Sequence, residues 1–245
     1  MHIRLVNPNT TATMTAKIEE CARAVAGPGT LVDAVNPDMG PASIESHYDE
    51  ALAVPGLLTE IAKGEAAGVD GYVVACFGDP GLDAAREIAR GPVIGMAEAA
   101  MHMGSFLGRG FSVVTTLERS AGRTWDLAER YGMQRFCRGV HASDIPVLDL
   151  ETDPEARKII TESALRAIET DNSDAILLGC AGMADLCREI SAEIGVPVID
   201  GVAAGTTLVE SLVRLGLRKS GRGEFATPPP KAYIGLLREF GSAAG

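Results

Sequence analysis

The chain has 245 residues, 22 Lys and Arg against 33 Asp and Glu for a formal net charge of −11, and 46% hydrophobic residues with 28 glycines. That length makes one large or two small domains and buries a full core without staples. The acidic balance excludes nucleic acid and anionic membrane surfaces as partners, since both need basic patches.

Ile3 to Val6 reads as a buried strand, closed by the polar loop Asn7-Pro8-Asn9-Thr10-Thr11. A helix over residues 12–25 ends near Gly27-Pro28-Gly29, as helices do. Leu31 to Val35 is the next strand. Residues 44–68 are helical in pattern, with Pro55-Gly56 expected to interrupt them. Tyr72 to Ala75 is a strand that runs into Cys76. Asp79-Pro80 then reads as an N-cap with proline at the first helical position, opening a helix to Ala89. Val93-Ile94 is a fourth strand, and residues 97–107 a helix. The second half repeats the order: strands at Phe111 to Val114, Phe136 to Val140, Ile176 to Leu178 and Val198-Ile199, with helices over 154–169 and 205–215. Pro228-Pro229-Pro230 reads as extended chain before a final short helix at 233–240. Strand–helix alternation of this kind means parallel sheets covered on both faces.

The repetition extends to chemistry. Val69-Asp70-Gly71-Tyr72-Val73-Val74-Ala75-Cys76-Phe77-Gly78 is answered by Ser173-Asp174-Ala175-Ile176-Leu177-Leu178-Gly179-Cys180-Ala181-Gly182, with Asp, Cys and Gly at one constant offset. Arg86-Glu87-Ile88 matches Arg188-Glu189-Ile190, and Pro92-Val93-Ile94 matches Pro197-Val198-Ile199. A free cysteine is usually a small core hydrophobe, and Cys21, Cys137 and Cys187 are read that way. Cys76 and Cys180 differ because both end strands where parallel sheets bind ligands. Two matched thiols facing each other are the equipment for moving a proton from one face of a carbon to the other.

Other chemistries find no footing. No Cys-x-x-Cys or His-x-x-x-His spacing offers a metal site, and His2, His47, His102 and His141 are scattered. Gly104, Gly108 and Gly110 precede a strand rather than follow one, so no dinucleotide fingerprint exists. Neither a Walker loop nor a Gly-x-Ser-x-Gly elbow is present. No cofactor and no metal are expected. The amino terminus has no basic region followed by a long apolar stretch, and no apolar run approaches the ~18 residues of a membrane span. With five cysteines and no regular framework, a cytoplasmic location is expected.

Asn7-Pro8-Asn9-Thr10, Gly40-Pro41-Ala42-Ser43-Ile44-Glu45-Ser46, Ala75-Cys76-Phe77-Gly78-Asp79-Pro80-Gly81 and Leu178-Gly179-Cys180-Ala181-Gly182-Met183 together resemble the hydantoin racemase branch of the aspartate/glutamate racemase superfamily. The resemblance runs over roughly residues 2–215. It implies two pseudo-symmetric flavodoxin-like α/β lobes, residues 1–96 plus 208–245 and residues 97–207, with the active site in the cleft between them and one catalytic cysteine from each. It also implies activity without metal or pyridoxal phosphate, and a homo-oligomer. The amino-acid racemases of the superfamily resemble Cys-Asn-Thr and Cys-Thr-His at the two motifs, whereas Phe77-Gly78 and Ala181-Gly182 follow the cysteines here. Side chains suited to an α-carboxylate and an ammonium are missing, so a neutral hydantoin-type ring held by backbone N–H groups fits better than free glutamate or aspartate.

In a hydantoin, carbon 5 lies beside a carbonyl, and loss of its proton gives a planar enolate. One cysteine takes the proton on one face while the other gives a proton on the opposite face. An ordinary thiol with a pKa of about 8.5 needs lowering for that task, and a helix amino terminus after each cysteine is expected to help. Substrate-binding positions are expected at Asn7, Ser43, Phe77, Gly78, Thr115, Thr116, Ala181 and Gly182. Glu45 is a weaker candidate for a supporting role. Allantoin is the close alternative substrate. An isomerase or lyase of small acids with a single nucleophilic cysteine is the alternative of a different class, and a non-enzymatic binding module is a third.

Overall fold

The structure, a computed structural model, describes residues 1–241, the side chain of Asp185 excepted. Two four-stranded parallel sheets make up its frame. The first contains β1 (His2–Val6), β2 (Leu31–Val35), β3 (Gly71–Val74) and β4 (Val93–Gly95) in the order β2-β1-β3-β4. The second contains β5 (Phe111–Thr115), β6 (Cys137–Ala142), β7 (Ala175–Leu178) and β8 (Val198–Asp200) in the equivalent order β6-β5-β7-β8. All pairings are parallel. In both sheets the chain reverses its winding between the first strand and the third, which opens a crevice at their carboxyl ends. Cys76 and Cys180 follow those third strands directly.

The recurring Asp of the duplicated motif has a structural cause. Asp70 Oδ2 accepts the His2 N–H at 2.7 Å, and Asp174 Oδ2 accepts the Arg109 and Gly110 N–H groups at 2.7 and 3.0 Å. Each carboxylate satisfies backbone donors where the first strand of its own sheet begins.

Both faces of each sheet are buried, so the strands read as continuous apolar runs. Ile3, Leu5, Val73, Phe111, Val113 and Leu177 point into one core that both sheets share. Tyr72 and Val74 point the other way, into the helices α2 (His47–Ala67) and α3 (Leu82–Ile88). Ile176 and Leu178 do the same toward α6 (Ala156–Asp171) and α7 (Cys187–Ile194). The shared core is filled by Met96, Met101, Val202 and Val209 from α4 (Met96–Leu107) and α8 (Gly201–Arg214), which pack on each other. α8 spans the 207/208 junction and packs against β3 and α1 (Ala12–Val25) of the first sheet. Residues 242–245 of the expected first lobe lie outside the described residues. Among the described residues no helix is long and apolar enough to cross a membrane.

Four local expectations need correction. Pro55-Gly56 does not interrupt α2, which runs from His47 to Ala67. The carbonyl that loses its partner to proline belongs to Ala51, an exposed residue, so the unmade bond is not buried. Gly56 is there for contact: a Cβ would meet Met39 O at 2.7 Å and Pro37 Cβ at 2.8 Å. Secondly, α8 begins at Gly201, four residues early, because Asp200 accepts the N–H groups of Val202 and Ala203 at 2.8 and 2.9 Å. Thirdly, the last helix is a 3₁₀ segment at Gly235–Gly241, opened by Gly235 at φ 65°. Fourthly, Asp79 does not open α3, whose N-cap is Gly81. The helices α5 (Ala121–Arg130) and α7 were not among the elements read from sequence.

Glu210 fastens α8 to the first sheet. Its carboxylate accepts the Thr30 hydroxyl at 2.6 Å, the Gly27 N–H at 3.1 Å and Arg214 at 2.9 Å. The Thr30 bond, aided by Gly27 and Arg214, outweighs burial and holds the Glu210 pKa below its ordinary value. Its stabilisation is therefore complete above the unfolded pKa of about 4.3 and is lost as pH falls through the lower folded value. Glu210→Ala is expected to cost about 2–4 kcal/mol at pH 7 in urea unfolding, since charged hydrogen bonds contribute about 1.5–3 kcal/mol each and are not additive. A loss below about 0.5 kcal/mol, the scale of an ordinary surface substitution, contradicts this role.

Candidate active site

Cys76 and Cys180 line one cavity of about 190 Å³. That is below the ~300–1,000 Å³ of sites for drug-sized ligands and is the size of a cavity for a small molecule. From the first half of the chain come Asn9, Met14, Glu45, Glu50, Ala75, Cys76, Phe77 and Gly78. From the second come Thr115, Thr116, Arg119, Arg123, Val147, Cys180 and Ala181.

The two thiols sit in matched turns. The Cys76 carbonyl accepts the Asp79 N–H at 2.9 Å, and the Cys180 carbonyl accepts the Met183 N–H at 3.1 Å. Within each turn the N–H two residues on, Gly78 or Gly182, hydrogen-bonds the sulfur. That donor favours the thiolate. Burial works against it and wins, pushing the Cys76 thiol up to about 12 and the Cys180 thiol up to about 11. Cys180 and Asp79 add to the rise at Cys76, and Glu45 adds to it at Cys180. The helix amino terminus expected after each cysteine is missing after Cys76 but present after Cys180, which is the N-cap residue of the helical segment that follows it. α3 starts only at Leu82, and Cys180 is followed by a 3₁₀ segment over Ala181–Leu186. The single glycine N–H is what faces each sulfur.

Of the substrate-binding positions expected from sequence, Phe77, Gly78, Thr115, Thr116 and Ala181 line the cavity, whereas Asn7, Ser43 and Gly182 do not. Asn7 is fully buried, and its Nδ2 donates to Asn9 Oδ1 at 2.9 Å and Thr15 Oγ1 at 3.0 Å. It holds the loop that presents Asn9. Asp79 does not cap α3, whose N-cap is Gly81. At φ 44° its side chain swings away to cap α4, accepting the Ala97 and Glu98 N–H groups at 3.1 and 2.9 Å. The Tyr131 hydroxyl donates to it at 2.7 Å. Burial raises its carboxyl to about 7 against these three bonds.

Of the cavity's charged wall, sequence reading offers Glu45 but misses Glu50, Arg119 and Arg123. Glu45 accepts the Val147 N–H at 2.7 Å across the two halves, and Glu50 pairs with Arg123. Arg119 and Arg123, one helical turn apart after the Thr115-Thr116 strand end, were the available signal, because loops at strand ends carry binding groups. Among the described residues no group of three His, Cys, Asp or Glu side chains is placed to hold a metal ion.

Chemically, the arrangement offers two weakly acidic thiols lining one small cavity, one from each half of the chain. Each has one fixed donor for its anion.

Residues 3–209 match the family described as Asp/Glu/Hydantoin racemase. A hydantoin racemase of Rhizobium meliloti is 50% identical over 236 residues, covering 96% of this chain and 98% of its own. A hydantoin racemase of Pseudomonas sp. (strain NS671) is 48% identical over 242 residues, covering 98% and 97%. Among solved structures, an allantoin racemase from Klebsiella pneumoniae is 48% identical with a TM-score of 0.96, covering 99% of each chain.

Proposed function

We propose that this chain, which belongs to the Asp/Glu/hydantoin racemase family and is a racemase, inverts carbon 5 of 5-substituted hydantoins by a two-thiol proton transfer. The observation that carries the proposal is the pair of thiols lining one small cavity, each with its own glycine N–H on the sulfur. Cys76 as thiolate removes the proton from one face, and Cys180 as thiol returns a proton to the other. For the opposite enantiomer the roles exchange. The enolate oxygen needs preorganised donors, and the peptide groups of the Phe77-Gly78, Thr115-Thr116 and Ala181-Gly182 segments are the candidates. Neither metal nor pyridoxal phosphate has a part in this scheme, and a homo-oligomer remains the expected assembly.

A raised thiol pKa suits the task. A carbon acid gives its proton more readily to a stronger base, and a thiolate whose pKa is raised by burial is a stronger base than one in water. The cost is that only a small fraction of the enzyme carries it at neutral pH.

A second reading concerns the substituent alone. The wall formed by Glu50, Arg119 and Arg123 is polar, which favours a ureido group, as in allantoin, over a benzyl group. Polarimetry on enantiopure allantoin, 5-benzylhydantoin, L-glutamate and L-aspartate tests both levels. Rotation is expected to decay to zero with at least one of the two rings and to persist with both amino acids. Turnover of either amino acid at a rate comparable to the better ring contradicts the ring-substrate reading.

A further inference from the structure

The two thiol turns match in their own hydrogen bonds and differ in what presses on them. Around Gly182 a Cβ would meet Leu150 Cδ1 at 3.2 Å, the Cys180 sulfur at 3.6 Å and Met14 Cε at 3.8 Å, with no charged side chain against the glycine, although the Glu45 carboxylate acts on the Cys180 thiol. Around Gly78 the neighbours are charged. A Cβ at Gly78 would strike Glu50 Oε1 at 2.6 Å, so only glycine lets that carboxylate lie against the turn. Arg123 of α5 closes on both: Nη1 pairs with Glu50, and Nη2 donates to the Gly78 carbonyl. One guanidinium thus ties α2 and the Cys76 turn, from the first half of the chain, to α5 in the second. A planar fork makes such a two-point grip, and a lysine ammonium does not reproduce it. All three residues line the cavity.

We propose that Arg123 is a positioning residue for one half of the reaction: by gripping the Gly78 carbonyl it keeps the Gly78 N–H on the Cys76 sulfur, while Cys180 is held without it. This rests on the two-thiol reading above. Its consequence is a functional asymmetry inside a pseudo-symmetric site. The titratable and charged groups around the Cys76 turn are Asp79 from the same loop, Glu50 and His47 from α2, Arg123 from α5 and Arg119 just before it, with the Cys180 thiol in the same cavity. Removing the guanidinium loosens the sulfur's donor and leaves Glu50 beside the turn with only His47, at 3.7 Å, as an ion-pair partner. Both changes disfavour a thiolate at Cys76, and neither reaches the apolar packing at Gly182.

The test places Arg123→Gln and Arg123→Lys in a Cys180→Ser background, where Cys76 is the only base, and in a Cys76→Ser background, where Cys180 is. Deuterium wash-in at carbon 5 of each enantiomer is followed by NMR in D₂O. Arg123→Gln is expected to slow wash-in by Cys76 about tenfold or more, the scale of a small misplacement of a reacting group, and wash-in by Cys180 less than about threefold. Arg123→Lys is expected to fall between. Equal slowing in both backgrounds, or none in either, overturns the proposal.

A second measurement needs no substrate. The rate of iodoacetamide alkylation at one fixed pH near 9, resolved by peptide mass spectrometry in the otherwise intact chain, is expected to fall about threefold or more at Cys76 in Arg123→Gln and to stay unmoved at Cys180, because the thiolate is the reacting form. A fall at both together, or at neither, again overturns it. If neither parent background exchanges deuterium at all, the two-thiol reading fails, and alkylation still decides the role of Arg123. Should Arg123→Gln not fold, Arg123→Lys carries both measurements.

Discussion

Cys76→Ser and Cys180→Ser are each expected to lower the rate of racemisation by about 10²–10⁴-fold, the usual contribution of a positioned general acid or base. Serine is nearly isosteric with cysteine, and its hydroxyl keeps the Gly78 or Gly182 N–H satisfied, so the fold is expected to survive. Acidity is what disappears, because an alcohol does not ionise near neutral pH. Inversion needs a base on one face and an acid on the other, so losing either group stops it. The double variant is therefore expected to be little worse than either single one, as happens when residues act as a unit. Initial rates by polarimetry on an enantiopure hydantoin, with urea unfolding as a control, check this. Cys21→Ser, Cys137→Ser and Cys187→Ser are expected to stay near the parent rate, because those thiols lie outside the cavity. Near-normal racemisation by Cys76→Ser or by Cys180→Ser contradicts the account.

The second large effect is on pH. Burial lifts both thiols, to about 12 at Cys76 and about 11 at Cys180, so at neutral pH nearly all of the enzyme holds two protonated sulfurs. Only the form with one thiolate and one thiol turns over. Below the thiol pKa values its fraction grows as each proton is removed, and kcat/KM is expected to climb close to tenfold per pH unit from about pH 6 to about pH 9. Activity declines again only where the second thiol ionises as well, which the first thiolate opposes. A flat profile between pH 6 and 8 would mean a preformed thiolate, and the two glycine donors would then outweigh burial.

How much of this was legible in the chain follows from the range of each interaction. The duplication, the two parallel sheets and the positions of Cys76 and Cys180 were readable because short apolar runs closed by Cys-x-Gly are local patterns. That both faces of each sheet are covered follows from the same runs, whereas the one apolar core that the two sheets share is a tertiary fact. Asp79 was misread because a Pro follows it, as at a helix start. Its partners at Ala97 and Glu98 lie beyond an intervening helix and strand, and no local pattern announces a cap made across that distance. Pro55 was misread as a breaker because its effect depends on whether Ala51 faces water, which is a tertiary fact. Asn7 was expected in the cavity and Asn9 presents itself there instead, since the loop turns its first Asn inward to three partners. The rest of the charged wall escaped for the reason that makes it useful. Glu50 and Arg123 are far apart in sequence and pair only once the two halves have docked.

Separating the two faces of carbon 5 tests the central claim most directly. Each single-cysteine variant is incubated in D₂O with each pure enantiomer, and deuterium at carbon 5 is read by NMR while the optical rotation is followed. Cys180→Ser, with only Cys76 as base, is expected to exchange one enantiomer with retention of configuration, and Cys76→Ser to exchange the other. Exchange of the same enantiomer by both variants, or inversion by either at close to the parent rate, would contradict two opposed thiols.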